Sequence, residues 1–347
     1  MNILENPFRG GAKLAPSAPY PSTDSDRLKR LLALCPAATQ TPLTEAKDLA
    51  PVKNLWIKDE RGRMNLGSFK ALGAAYVIAC LACEDSESPD SPSLKGRTFV
   101  TASAGNHGLS VAAGARIFGA QAVVYIAESV PESFADRLRA QGARVVRDGA
   151  DYAASMTAAS RAAQQHGWTL LSDSSWEGYV DLPRLLMEGY LQIAIEAVEQ
   201  CPQPPTVILL QAGVGGMAGA LAAYFRQAWQ DEPRIVVVEP ESAPALQASI
   251  TAGKCVFADG PDSIMGRLDC KEPSLIALNG LARDADLFLT LDDTEVAAQL
   301  PALARAGLET TASGGAGVVA LMNEASRSAL GIGPKDRVLC ILTEQPA

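Results

Sequence analysis

Short β-branched or apolar runs alternate with longer helical stretches along most of the chain. No other feature constrains the fold as strongly. A strand followed by a helix and another strand needs a crossover connection, and crossovers lay strands parallel. The strand candidates are Leu55–Lys58, Thr98–Thr101, Ala122–Ile126, Arg144–Arg147, Thr169–Leu171, Thr206–Leu210, Arg234–Val238, Leu287–Leu291 and Arg337–Leu342. Helix candidates between them include Phe69–Ala82, Gly108–Phe118, Pro131–Ala140, Asp151–His166, Pro183–Gln200 and Gly216–Gln230. The pattern predicts an α/β fold, and 347 residues allow one large domain or two coupled ones. The compact strand–helix units at 97–171 suit a smaller lobe inside a larger one, with a cleft at the carboxyl ends of strands from both.

Composition narrows the function. A net charge of −9 without a basic patch argues against nucleic acid and anionic membranes as partners. No apolar run reaches the ~20 residues that span a bilayer. The N-terminus lacks the apolar core of a secretory signal, so a cytoplasmic location is expected. Residues 1–35 read as a poorly regular arm with a short helix around Asp26–Leu34, and Glu84–Gly96 reads as an exposed polar loop or partly disordered insertion. Seven cysteines are scattered, and the Cys80/Cys83 pair lies inside a helical run, which favours packing over zinc or redox work. With only His107 and His166, a Ser–His–Asp triad or a histidine metal site is disfavoured, and no metal is expected. Acid–base chemistry then falls to lysine, carboxylates, hydroxyls or a cofactor.

Three segments carry chemistry. In KDERGRMNLGSFKALGAAY, Lys70 opens an alanine-rich helix. Helix-dipole repulsion and desolvation there would lower its pKa, as a Schiff-base lysine needs; the bland reading is a surface lysine. In VTASAGNHGLSVAAGARIFG, a strand runs into Ser103, Ala104, Gly105, Asn106 and His107 before a helix. That turn gathers N–H groups and a hydroxyl into a carboxylate cradle, and Asn106 adds a neutral donor for a ring oxygen. In VILLQAGVGGMAGALAAYF, a buried strand feeds a glycine-rich turn whose amides at Gly213, Val214, Gly215 and Gly216 can surround a phosphate. A Rossmann dinucleotide site of an NAD(P) oxidoreductase competes for this turn, because Gly213-Val214-Gly215 opens GxGxxA and Glu239 ends the next strand. That alternative leaves Lys70 and Asn106 unexplained.

The ordered set SFK, SAGNHG and GVGGMAG resembles fold type II pyridoxal-phosphate enzymes (tryptophan synthase beta-like), and within them the diaminopropionate ammonia-lyases. The resemblance runs from about Thr41 to Thr343, through DSSWEGY at Asp173–Tyr179 and VVVEPESA at Val236–Ala243. It implies two lobes with mostly parallel sheets, the larger from residues 1–96 and 190–347 and the smaller from 97–189. It implies pyridoxal 5'-phosphate bound as a Schiff base on Lys70, which also moves protons at Cα. Ser103 to Asn106 would hold the substrate carboxylate, with Asn106 also near the cofactor's phenolic oxygen and His107 in the same loop. Gly213, Gly215, Gly216 and Met217 would form the phosphate loop. Thr343 would face the pyridine nitrogen, and Asp173 would lie close to the reacting carbon.

The implied reaction is α,β-elimination from a 2-amino-3-substituted propionate, best matched by L-2,3-diaminopropionate going to pyruvate and ammonia. L-Serine or L-threonine dehydration, or another β-eliminating or β-replacing reaction, is the alternative. The partner is a small amino acid, and a homodimer is expected by analogy. Two departures bear on substrate. The lyases carry an aspartate where this chain has Ala104, so the base for D-isomers is missing and L-isomer activity is expected. They also carry a glutamate ahead of the late glycine turn, where TTASGGAG has Ala312.

Overall fold

The computed structural model of the protein describes residues 1–33, 35, 37–85 and 93–346. The loop expected at Glu84–Gly96 therefore lies largely outside the described residues. The chain starts with β1 (Ile3–Glu5), α1 (Ser25–Leu32), β2 (Leu43–Glu45), β3 (Asn54–Asp59) and α2 (Lys70–Asp85). Next come β4 (Thr98–Ala102), α3 (Asn106–Ile117), β5 (Gln121–Ile126), α4 (Glu132–Ala140), β6 (Arg144–Arg147), α5 (Tyr152–His166) and β7 (Thr169–Leu170). Then α6 (Asp181–Gln200), β8 (Val207–Gln211), α7 (Gly216–Trp229), β9 (Arg234–Pro240), α8 (Ala245–Ala252) and α9 (Leu275–Asp284) follow. The rest is β10 (Leu287–Leu291), α10 (Asp293–Arg305), α11 (Ala312–Met322), α12 (Glu324–Ala329) and β11 (Arg337–Leu342).

Two sheets form. The larger has the order β1-β10-β9-β8-β11-β3-β2, and the smaller β6-β5-β4-β7. Among the described residues, the strands of both sheets pair in parallel except at the two edges of the larger sheet, where β1 joins β10 and β2 joins β3 antiparallel. The fold is thus the α/β, mostly parallel architecture that the alternation of strands and helices predicts. The N-terminal arm is more ordered than expected: β1 is an edge strand, and Asn6 Nδ2 donates to the carbonyls of Leu281, Ala282 and Ala285. The lobe boundary expected at 189/190 falls inside α6, which packs on α2 and α7.

Both faces of the larger sheet are covered, as a parallel sheet requires. Along β8, Ile208 and Leu210 face the core shared with α2, α6 and α7, while Val207 and Leu209 face the core shared with α11. The period of two is what sends alternate side chains to opposite faces. Helix α2 packs against both α3 and α6, so the layer between the two sheets is continuous. No described helix is long and apolar enough to cross a membrane.

Candidate active site

Three neighbouring strands end side by side: β8, β11 and β3. Their carboxyl ends open onto the Gly213–Gly216 turn, onto Thr343 and Glu344, and onto the connection that leads to Lys70. The pieces are stitched together by backbone. Phe69 N–H donates to Thr343 O at 3.1 Å, Thr343 N–H to Gly314 O at 3.2 Å, and Ser68 pairs with Glu344 in an antiparallel bridge. From the smaller sheet, Ser110 Oγ on α3 donates to Lys70 O at 2.8 Å.

Lys70 is the first residue of α2, as expected, and its Nζ lies 2.5 Å from Asp173 Oδ2. The rings of Phe69 and Tyr190 lie 5.2 and 5.9 Å from that ammonium. The expected lowering of the Lys70 pKa does not hold in the chain itself. Burial, the largest single effect, pushes it down, but Asp173, Tyr190 and Cys270 together outweigh burial and hold the amine above the ordinary lysine value. Asp173 responds in the opposite sense: burial would raise its carboxyl, and Lys70 with His107 holds it well below the usual range. The helix end and the desolvation are local to Lys70, whereas the carboxylate comes from 103 residues further along the chain.

Two further helix starts supply N–H groups. Helix α3 begins at Asn106, and its N-cap, Gly105, makes no side-chain cap bond. Ser103 Oγ accepts from Gly105 N–H at 3.3 Å, which shapes the loop that also holds Ala104. A Cβ on Gly108 would lie 2.1 Å from Ser103 O, so only glycine lets the helix close on this loop. His107 is placed differently from its neighbours. Its ring is buried and Nε2 lies 2.9 Å from Leu171 O; a carbonyl only accepts, so Nε2 carries the proton. Burial keeps the ring below its ordinary pKa, and its Nδ1 is buried without a hydrogen-bond partner.

Helix α7 begins at Gly216 after Gly215, which has φ +90°, and no side chain caps it. A Cβ on Gly213 would come within 2.9 Å of Cys270 Sγ and 3.0 Å of Leu268 Cα. One on Gly216 would look toward Asp173 O, Met187 and Tyr190 at 3.7–3.8 Å. The turn therefore borders the Lys70–Asp173 pair. Val214 O is used by Ser274 N–H at 2.9 Å, and the Met217 side chain is buried in the core. Uncapped N–H groups facing a bare glycine surface form a cradle that fits a phosphate, with an amine close by for an aldehyde. These residues fit pyridoxal phosphate.

The dinucleotide alternative fails at Glu239. That carboxylate is fully buried and accepts from Leu246 N–H at 2.7 Å and Gln247 N–H at 2.8 Å, so it caps α8 instead of facing a ribose.

Sequence reasoning misses Glu344, Arg267, Tyr190 and Cys270. Asn106 Nδ2 donates to Glu344 Oε2 at 2.5 Å, Arg267 Nε pairs with the same oxygen at 3.0 Å, and the Thr311 hydroxyl donates to Oε1. A carboxylate thus stands beside Thr311, the residue before Ala312, although the sequence has none at position 312. Glu344 directly follows Thr343, but its partners are distant in the chain. Arg267 and Cys270 lie in an irregular stretch that carries no pattern. The Cys270 thiol is pushed up to about 11 by burial.

A part-buried lysine at a helix start beside two glycine-bearing strand-to-helix turns points to one class: the chain belongs to the pyridoxal-phosphate dependent enzyme family, matched over residues 34–344. Pyridoxal phosphate is its cofactor. Its similarity within the family falls on ammonia-lyases. It is 36% identical over 274 residues to the diaminopropionate ammonia-lyase of Escherichia coli strain K12, covering 74% of this chain and 69% of that one. The L-threonine ammonia-lyase of Thermotoga maritima is 27% identical over 259 residues, covering 74% and 60%. The crystal structure of the Escherichia coli diaminopropionate ammonia lyase with an aminoacrylate-PLP azomethine reaction intermediate superposes with a TM-score of 0.87. It shares 30% identity and covers 99% of this chain and 93% of that one.

Proposed function

We propose that this enzyme removes ammonia from L-2,3-diaminopropionate, leaving pyruvate after hydrolysis of the eliminated product. The observation that carries the reading is the Lys70–Asp173 pair bordered by the glycine turn and by the start of α3. When bound, pyridoxal phosphate supplies an electron sink for the pair left at Cα, which lets the β-substituent depart.

The chain supplies the rest. The N–H groups of Gly213, Gly215, Gly216 and Met217 hold the phosphate, with Val214 setting the turn. Lys70 attaches the cofactor and carries the proton taken from and returned to carbon. Ser103, Ala104, Gly105 and Asn106 seat the substrate carboxylate against the start of α3, with the backbone of His107 continuing that row of N–H groups. Thr343 would hold the ring nitrogen and Asn106 the phenolic oxygen. Asp173 keeps its negative charge, and a carboxylate released from Lys70 is drawn to a β-ammonium more strongly than to a hydroxyl. That charge favours the diamino acid over serine. The one feature favouring serine or threonine is Ala104, which leaves the carboxylate loop without an acid.

Residues 97–189 act as a smaller lobe carrying this loop and the rest as the larger one; the separate sheet of β4–β7 supports that division. A cytoplasmic homodimer completes the reading by analogy with the family. The site assignment is tested by mixing the purified protein with pyridoxal phosphate and reducing with borohydride. A visible band that disappears, with the label on the peptide containing Lys70, is expected; a label on another lysine would overturn the assignment.

A further inference from the structure

Glu344 is 3% exposed, and its backbone is held on three sides. Ser68 bridges it, Thr310 Oγ1 donates to its carbonyl at 2.5 Å, and the next residue, Gln345, donates N–H to Gly67 O at 3.0 Å. Its stem crosses the start of α11, where a Cβ on Gly314 would lie 2.9 Å from Glu344 Cγ. A carboxylate fixed so firmly cannot swing to find partners; its partners are built around it. They come from three places: Arg267 in the stretch before α9, Thr311 capping α11, and Asn106 at the start of α3 in the other sheet.

The bond to Asn106 fixes more than distance. A primary amide can turn over and exchange its oxygen and nitrogen, but an ionised carboxylate only accepts. Glu344 therefore forces Asn106 to present nitrogen to it, and uses one of the two amide hydrogens. The second remains directed elsewhere, as does the amide oxygen. We propose that Glu344 is a positioning residue: anchored by Arg267 and Thr311, it locks the Asn106 amide in one orientation across the seam between the two sheets, leaving the second N–H for the cofactor's ring oxygen. This rests on the reading of the cleft as the pyridoxal-phosphate site.

The charged groups acting on Glu344 are Arg267 and Lys70; Thr311 and Asn106 are neutral donors. Burial raises its carboxyl above the usual range, and the two cations only partly offset that. As pH falls through this raised value, Glu344 gains a proton, becomes a donor as well as an acceptor, and loses its hold on the amide. The cofactor band of the holoenzyme should then change along an acid limb that belongs to Glu344.

The test follows the visible band of the holoenzyme against pH, together with kcat and KM, in Glu344→Met, Glu344→Gln, Asn106→Ala and Arg267→Gln. Glu344→Met should shift the band and lower kcat about tenfold with KM little changed. Glu344→Gln both donates and accepts, like the protonated acid, and cannot titrate, so it should show the low-pH band and a lowered kcat at every pH, with no acid limb. Arg267→Gln should move that limb to higher pH. In the Asn106→Ala background, Glu344→Met should add almost nothing. Equal effects with and without Asn106, or an acid limb that survives in Glu344→Gln, would overturn the assignment while leaving the cofactor reading intact. If Glu344→Met does not fold, the Gln variant's titration still decides. A wild-type protein that shows no visible band would instead sink the reading of the cleft, and this assignment with it.

Discussion

The proton shared by Lys70 and Asp173 is held on nitrogen, because each charge stabilises the other in a cleft where both side chains are about four-fifths covered, at 22% and 19% exposure. On the proposed reading, the lysine stays charged until the cofactor engages it, and the neighbouring carboxylate relays its proton. Lys70→Ala should abolish pyruvate formation and remove covalent cofactor attachment; near-native turnover would contradict the account. Asp173→Asn keeps the shape and removes the charge. It should lower kcat by about a hundredfold or more, a usual scale for lost acid–base help, while equilibrium dialysis finds cofactor affinity little changed. Equal losses in both would make Asp173 structural. Ala104→Asp tests the loop from the other direction: it should open turnover of D-2,3-diaminopropionate, measured as pyruvate, from a native level near zero.

At the scale of elements, strand ends and helix starts do the positioning. The residues legible in the sequence are those whose role is local: Lys70 opening α2, the Ser103–Asn106 loop opening α3, and the glycines opening α7. Glu344 was not legible because its bond to Asn106 joins residues 238 apart, and nothing along the chain records which strand ends become neighbours. Glu239 shows the converse. Its spacing suits a ribose contact, yet the start of α8 folds back onto it and takes both oxygens. Burial pushes its carboxyl up to about 8 even with two N–H donors. Glu239→Ala should cost about 1–3 kcal/mol in urea unfolding by leaving those N–H groups unpaired, with no effect on cofactor uptake. The helices from α8 to α12 escape the sequence reading for another reason. α11 is apolar and buried nearly all round, so it has no face to give a period, and α10 carries Pro301.

Across the whole molecule, a fully buried ionic cluster ties the larger sheet to α6. Lys58 Nζ lies 2.6 Å from Glu196 Oε2, and Arg63 bonds both Glu60 and Glu196 at 2.7–2.9 Å, with Thr41 filling the remaining positions. Removing one member leaves buried charge uncompensated, at a cost of about 3–5 kcal/mol. Arg63 and Lys58 hold the Glu196 carboxyl at about 2 against the opposing effect of burial. A depressed carboxyl contributes stability that is present above its unfolded value near pH 4.5 and is lost as pH falls toward 2, on the order of 3 kcal/mol. Chemical unfolding of the cofactor-free protein across that range should show this slope. Glu196→Gln should start less stable and lack it; an unchanged slope would mean that other carboxylates govern acid unfolding.

The architecture, the cofactor and the reaction class were readable from the order of three motifs and the alternation of strands with helices. Lysine pKa and amide orientation were not, since both depend on charges brought in from distant strands. The central claim is that this cleft eliminates ammonia from a diamino acid. The most direct test is release of pyruvate and ammonia by the purified protein with pyridoxal phosphate, from L-2,3-diaminopropionate and L-serine in parallel. Fast release from the diamino acid is expected, with two ammonia per pyruvate, and little from serine. Release from serine alone would contradict it and show that Ala104, not Asp173, governs the substrate.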